Sequence, residues 1–356
     1  MTARRVAVVG CGHLGAIHAR LLAARSDATL VAVVDPVAES RDRLAAAHSC
    51  LPLECPRDLV GRVDAVVVAA PTGLHAEVAI PLIEAGVDLL VEKPIAAAVE
   101  DARAIVIAAR RCGRIVAVGH VERFNPAWRA AVERVDGVVR VEAERRAPFT
   151  FRSLDVGVVY DLMIHDIDLV LSLEPGRLER VDAQALYATG GHEDAARARL
   201  VFSSGLVADL AASRISPTTR RSLSMWSHGS LVSVDFNAKS IEVLGTSPTV
   251  RDGSFVAAKI PPAERVALKD RFFADVLPLE TITVPDGNAI AAEHDDFLDA
   301  VRTRRAPLVS AAAGAAALEI AARVLEAIEG TRLGGDGVDR PAVAGTVPLV
   351  PRRKTG

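Results

Sequence analysis

Three glycines, Gly10, Gly12 and Gly15, follow directly on the run Val6-Ala7-Val8-Val9, and a helical pattern through Ile17, Leu21 and Leu22 comes straight after them. No other feature of the chain narrows the fold so far. A buried strand must become a helix within a few residues, and each glycine has a reason to be there. Gly10 permits the tight turn, Gly12 lets a pyrophosphate come close to the backbone, and Gly15 lets helix and strand pack closely. The free amides at the helix start, around His13 and Leu14, then face the phosphates. A second run, Thr29 to Val34, ends in Asp35, 20 residues past Gly15. That is close to the spacing expected of the acid that binds the ribose hydroxyls, and an acid there favours NAD over its 2′-phosphorylated relative.

The alternation of strand and helix continues. Ala65 to Ala69 reads as a third strand, followed by Pro71-Thr72-Gly73-Leu74-His75 and a helix that stops at Gly86. Val87 to Val91 is a fourth strand and ends in Glu92-Lys93-Pro94. A helix from Val99 to Arg111, a strand from Arg114 to Val118 and then Gly119-His120 complete the unit. In open parallel sheets the ligand sits beyond the strand C-termini. Pro71, Thr72, His75, Glu92, Lys93 and His120 are therefore the further cofactor-facing candidates. His120 reads equally as a hydrogen-bonded structural histidine, and Lys93 by itself as a surface lysine at a strand end.

A second centre lies in Asp155 to Asp168, which reads as a helix anchored by Val158, Leu162, Ile164 and Leu169. Asp161 and His165 are four residues apart and so share a face, with Asp168 three residues further on. A carboxylate beside an imidazole can orient a proton acceptor that works near neutral pH. The same spacing also suits an ordinary helical ion pair.

Composition removes several function classes. A formal charge of −3, no long basic run and 4% aromatic residues argue against a nucleic-acid partner. Cys11, Cys50, Cys55 and Cys112 make no CxxC pair and no zinc spacing, so we expect reduced thiols in a cytoplasm and no metal. Met1 to Arg5 lead straight into the first strand without the pattern of a signal peptide, and no apolar run is long enough for a bilayer.

The glycine motif, the Glu92-Lys93-Pro94 that follows a strand, and the Asp161-x-x-x-His165 helix occur in this order across nearly the whole chain. Together they resemble the Gfo/Idh/MocA oxidoreductases. The resemblance implies NAD and a reversible hydride transfer between a secondary alcohol and the nicotinamide. His165 would be the general base, Asp161 would hold the imidazole or share the substrate contact, and Lys93 would stabilise the alkoxide. Gly119 to Ala127 and Asp155 to Leu173 are more narrowly similar to the UDP-N-acetylglucosamine 3-dehydrogenases, including a methionine, Met163, where many members carry glycine. That subgroup implies a nucleotide-sugar substrate oxidised at its 3-hydroxyl and a pathway aminotransferase acting next, towards lipid A. Arg123, Asn125 and Arg152 join Lys93, Asp161 and His165 as expected substrate contacts. The alternatives are another sugar or an inositol as substrate, or a non-catalytic NAD-binding regulator.

The expected architecture is α/β. An N-terminal Rossmann domain with a parallel sheet, residues 1–122, precedes an α+β domain with a large open, mainly antiparallel sheet, residues 123–335, and a mobile tail, 336–356. A helix to about Val135 and a strand from Val138 to Arg145 open the second part. Arg145, Arg146 and Arg152 read as a loop that could grip phosphate. Strands over 181–187, 195–202, 206–211, 222–226, 231–236 and 241–244 follow. Residues 247–290 read as a long, proline-interrupted loop that closes over the site. Helices over about 291–302 and 311–329 pack back. An open sheet face of this kind suits a homo-oligomer, a dimer or a tetramer.

Overall fold

Apolar strands, buried on both faces, build the first layer. In the computed structural model, which describes residues 3–151 and 156–332, these are β1 (Arg4–Val9), β2 (Ala28–Val34), β3 (Leu51–Leu53), β4 (Ala65–Val68), β5 (Asp88–Glu92) and β6 (Val116–Gly119). They pair in parallel in the order β3-β2-β1-β4-β5-β6. The crossovers are α1 (His13–Ala23), α2 (Ala38–His48), α3 (His75–Glu84) and α4 (Val99–Cys112). β1 and β4 are central and change the direction of the strand order, so the crevice beyond their C-termini is where a ligand belongs.

The sequence reading passed over α2 and β3, so the strand at 65–68 is the fourth and not the third. Both omissions have physical causes. α2 buries only Leu44 and Ala45 and shows almost no apolar stripe. β3 is a three-residue edge strand centred on Pro52, and proline is confined to such edges.

After α5 (Pro126–Val132) comes β7 (Arg140–Arg146), the spine of the second layer. A π-turn at Val159–Met163 leads into α6 (Ile164–Leu171). The remaining strands are β8 (Leu178–Leu186), β9 (Ala195–Phe202), β10 (Val207–Ser213), β11 (Arg220–Trp226), β12 (Leu231–Asp235) and β13 (Ser240–Leu244). With β14 (Leu279–Thr283) they form an eight-stranded sheet in the order β14-β13-β12-β11-β7-β10-β9-β8. It is antiparallel except where β10 pairs with β7.

Side chains alternate along β7: Val141, Ala143 and Arg145 are buried, and Arg140, Glu142 and Glu144 are on the other face. That outer face is polar and laced with ion pairs such as Arg140–Asp209–Arg199 and Arg220–Glu144. Arg145 and Arg146 thus belong to a strand and not to a phosphate-gripping loop. Arg152, the third of that set, lies outside the described residues, as does the tail expected at 336–356.

The segment 247–290 is not a long loop. It holds α7 (Pro248–Arg251), α8 (Pro262–Asp275) and the edge strand β14. Its prolines mislead, because Pro248 and Pro262 sit in the first turn of a helix, where proline loses no hydrogen bond. α8 buries none of its residues, so no inward stripe announces it. Finally, α9 (Ala289–Thr303) and α10 (Ala311–Arg332) return across both layers. α10 packs on α4 and β6 of the first and on β8 and α6 of the second. No helix among the described residues is long and apolar enough to cross a membrane.

Candidate active site

The glycine turn does what its spacing promised. Gly10 has φ +97°, and a Cβ there would lie 2.4 Å from Ala69 O; at Gly15 it would lie 1.8 Å from Gly10 O. At Gly12 a Cβ would meet nothing within 4 Å and would point into open space. α1 starts at Gly12 with no side-chain cap and no acidic residue in its first turn, so its amides are free for an anion. Gly10, Gly12, His13, Leu14, Asp35 and Pro71 line a cleft of about 870 Å³. Gly15 lies beneath it, and Thr72 opens the short turn Thr72–Leu74 at its rim. Asp35 has a second task that the sequence did not announce. Its Oδ2 accepts from Cys11 N at 2.7 Å and its Oδ1 from Val37 N at 2.8 Å, which staples the glycine turn to the end of β2. Each oxygen keeps a lone pair for a ribose hydroxyl.

Sheet register brings the next group together. Glu92 on β5 is level with Gly119 on β6, so Lys93 and His120 leave the sheet side by side. The Lys93–Pro94 peptide is cis. His75 brackets this loop, with Nδ1 2.9 Å from Pro94 O and Nε2 2.9 Å from Ala70 O. It is almost wholly buried, so its observed contacts are to backbone carbonyls and not to the cofactor cleft. Burial lowers its pKa, and a neutral ring donates to one carbonyl at a time. Glu92 is also turned inward. Its Oε1 meets His18 Nε2 at 2.8 Å, and its Oε2 accepts from Lys93 N at 3.1 Å. His18 Nδ1 lies 2.8 Å from His294 Nε2.

Lys93 Nζ reaches across to the second half of the chain. It donates to Asp161 O at 2.8 Å and to Asp161 Oδ1 at 3.1 Å. Asp161 lies in the π-turn, a backbone irregularity that often marks functional positions. His165 lies just beyond, in the first turn of α6. The expected pairing of Asp161 with the His165 imidazole is not what the structure shows, since the carboxylate is bonded to Lys93. The ring that faces His165 is His120, edge-on at 6.4 Å between centroids. His165 keeps part of its surface open, but Nδ1 is buried without a partner, which leaves Nε2 as the nitrogen for the cleft. Burial pushes its pKa well below the ordinary histidine value, and the charges of Lys93 and Arg145 add to this. Such a ring is neutral at pH 7 and free to accept a proton.

Two expected substrate contacts face inward. Asn125 caps α5 by accepting from Ala127 N and donates to Glu122 Oε2. Arg123 lies 3.6 Å from Asp168 Oδ1 and is largely buried. Arg145 is enclosed by Asp166, at 2.8 Å and 3.2 Å, and Glu122, at 2.8 Å. This ion triad ties β7 to α6 and to the turn after β6. The sequence reading missed it, together with His18, Glu293 and His294. The spacing Asp166-x-Asp168, two acids in an apolar helix, was the one available signal. No group of three or more side chains among the described residues is arranged to hold a metal.

Comparison with known proteins places the chain among oxidoreductases. Residues 4–120 match the family model described as "Oxidoreductase family, NAD-binding Rossmann fold", and residues 105–250 match the "GFO/IDH/MocA C-terminal domain". The chain is 34% identical to the UDP-N-acetylglucosamine 3-dehydrogenase of Acidithiobacillus ferrooxidans over 91% of its own length and 97% of that protein. A solved structure of that enzyme superposes with a TM-score of 0.81, covering 93% of this chain and 99% of the other at 32% identity. The chain is also 30% identical to the scyllo-inositol 2-dehydrogenase (NAD(+)) of Bacillus subtilis, over 60% of its length and 68% of that protein. The WlbA dehydrogenase of Bordetella pertussis, solved with NADH and UDP-GlcNAcA, shares the fold with a TM-score of 0.75 at 21% identity over 93% of this chain and 96% of that one. Two family models that together span residues 4–250, and a relative 34% identical over 91% of the chain, show that the chain belongs to the Gfo/Idh/MocA oxidoreductases, with NAD as its cofactor.

Proposed function

We propose that the protein oxidises the 3-hydroxyl of UDP-N-acetylglucosamine to the ketone. The observation that carries this reading is the reach of Lys93 Nζ to Asp161 across the two halves of the chain, with His165 one turn further along the same helix. Bound in the cleft, NAD supplies the hydride acceptor. Lys93 Nζ, aimed by Asp161, donates to the substrate oxygen and stabilises the alkoxide as it develops. His165 Nε2 takes the hydroxyl proton, a contribution of roughly 10²–10⁴ in rate for a well-placed base. The 34% identity to the Acidithiobacillus enzyme, across 91% of the chain, supports the substrate, as does the stretch Gly119 to Ala127. We place the division between the two functional halves at 122–123. An aminotransferase would act next on the ketone, towards lipid A. The outer face of the eight-stranded sheet is our candidate for contact between copies in a dimer or tetramer, and the four free cysteines suit a reducing cytoplasm.

The inositol dehydrogenases among the relatives favour a second reading, a cyclitol or free sugar as substrate. NADH formation over a panel of UDP-sugars, free hexoses and inositols, with a carbonyl trap to draw off the ketone, separates the two. Activity confined to UDP-N-acetylglucosamine is the expected result. Activity confined to an inositol overturns the substrate, and tight NAD binding with no turnover on any member overturns the enzyme.

A further inference from the structure

Three buried side chains from separate elements form one hydrogen-bonded line that the proposed chemistry leaves unused. His18 comes from α1, Glu92 ends β5 and His294 lies on α9, and neither histidine has exposed surface. His294 Nε2 lies 2.8 Å from His18 Nδ1, and His18 Nε2 lies 2.8 Å from Glu92 Oε1. Glu92 Oε2 then turns back to accept from Lys93 N at 3.1 Å. The line therefore ends on the backbone of the residue whose Nζ reaches Asp161. Polar groups this deep are costly unless they pair, and apolar side chains often fill such space at no loss of stability. Their gathering against Lys93 asks for a purpose.

We infer that His18 and His294 are positioning residues for the proposed reaction: His294 sets the tautomer of His18, His18 donates to Glu92, and Glu92 fixes the backbone that carries Lys93. This rests on the reading of Lys93 as the donor to the substrate oxygen. The order of donors follows from the two ends of the line. Burial alone would raise the pKa of Glu92, but His18 and Lys93 outweigh it and hold the carboxyl below its ordinary value. An ionised carboxylate only accepts, so His18 Nε2 carries the proton between them. Burial lowers His294 from 6.5 to about 3, which leaves it neutral at pH 7 with one N–H to give. A proton on His18 Nδ1 would force that N–H onto His294 Nδ1, which is buried without a partner. Donation from His294 Nε2 to a bare His18 Nδ1 leaves an unpaired acceptor there instead, the less rare of the two in folded interiors.

The neighbours are shaped to this line. A Cβ at Gly119, the residue level with Glu92 on β6, would lie 3.0 Å from Glu92 Oε2 and 3.1 Å from its Cδ. Gly119 has no positive φ, so its missing side chain makes room for the carboxylate and relaxes no turn. Lys93 is then held at both ends, its N by Glu92 and its Nζ by Asp161, while Pro94 O lies 2.9 Å from His75 Nδ1. α1 also presents the free amides of the cofactor cleft, so one helix faces the phosphates and, through His18, reaches the loop of Lys93. Placement of a reacting group matters steeply, since a shift of about 1 Å can cost roughly a hundredfold in rate.

In the NAD-loaded enzyme turning over UDP-N-acetylglucosamine, His18→Leu should lower kcat about tenfold or more while NAD titration stays as in wild type. His18→Gln, which keeps a donor for Glu92, should restore most of the rate. A merely structural loss would show in NAD affinity, because His18 lies on the helix that faces the phosphates. Wild-type kcat in His18→Leu, a parallel fall of kcat and NAD affinity, or no recovery in His18→Gln overturns the inference. If His18→Leu does not fold, Gly119→Ala, which keeps both histidines and crowds Glu92 Oε2, is read by the same two measurements with the same outcomes. In the free protein, nitrogen-15 shifts of the imidazoles, assigned through His18→Gln and His294→Gln, should place the proton on Nε2 of both rings. A proton on His18 Nδ1 overturns the order of donors. Wild-type turnover in Lys93→Met overturns the role of Lys93 instead, and leaves the nitrogen-15 result standing.

Discussion

The cofactor cleft and the seat of the chemistry both lie beyond the ends of the same parallel strands, yet they are built on opposite terms. Around the glycine turn, the acidic side chain is held by the protein itself, since both oxygens of Asp35 accept backbone hydrogen bonds, and the amides that open α1 are left for an anion. Much of the rest of that lining is apolar or glycine. On α6 and beside it the buried polar atoms are not all satisfied: His165 Nδ1, Asp168 Oδ2 and both nitrogens of His120, the ring edge-on to His165, have no hydrogen-bond partner. A pocket that only binds can be complete before its ligand arrives. One that moves a proton holds groups whose charge state is strained by burial, and such perturbed groups gather at reactive sites.

The contrast can be broken most forcefully at Arg145. Arg145→Met leaves Asp166 and Glu122 buried without their cation, and we expect a loss of about 3–5 kcal/mol in denaturant unfolding. Unchanged stability with reduced turnover would show that the triad serves chemistry and not the fold.

Next comes His165→Ala, for which turnover should fall roughly a hundredfold or more while NAD titration stays as in wild type. Turnover near wild type would move the base elsewhere. A smaller effect is expected from pH. His75, His120 and His165 have lowered pKa values, and His294 is lowered from 6.5 to about 3. Unfolded histidines take protons below 6.5 that the folded ones refuse, so this stabilisation is complete above 6.5 and is lost as pH falls towards the folded values. Raised Glu293 acts in reverse: its share is complete below 4.5 and is lost as pH rises through the folded value. Thermal midpoints should therefore drop on acidification below 6.5, and His294→Gln should flatten that slope. A slope that His294→Gln leaves unchanged would place the acid sensitivity in other groups.

The mildest change is at the cofactor cleft. Asp35→Ala should weaken NAD by roughly 1–3 kcal/mol and relax discrimination against NADP. Weaker binding with unchanged preference would mean that Asp35 only staples the glycine turn through Cys11 N and Val37 N.

Much of this was legible in the chain. The glycine turn, Asp35, Lys93 at a strand end and the Asp161–His165 spacing are all local patterns, set by strand and helix periods. Most strands of the second sheet were legible for the same reason, since they alternate buried and exposed residues. α8 was not, because a helix with no buried residue carries no inward stripe. His75 was read as a ligand contact from its position beyond a strand and Asn125 from the resemblance of Gly119 to Ala127, yet their polar atoms engage nearby backbone and Glu122.

By itself, then, the sequence determined the fold class, the cofactor turn and which residues could do acid–base work. These depend on periods of two and 3.6 residues and on motifs a few residues long. Which charges meet was decided only in three dimensions. His18 joins Glu92 across 74 residues and His294 across 276. Lys93 finds Asp161 across 68, and Arg145 is enclosed by acids from two other elements. No local pattern encodes such pairs, because their energy comes from the low-dielectric interior that forms when the two layers close on each other.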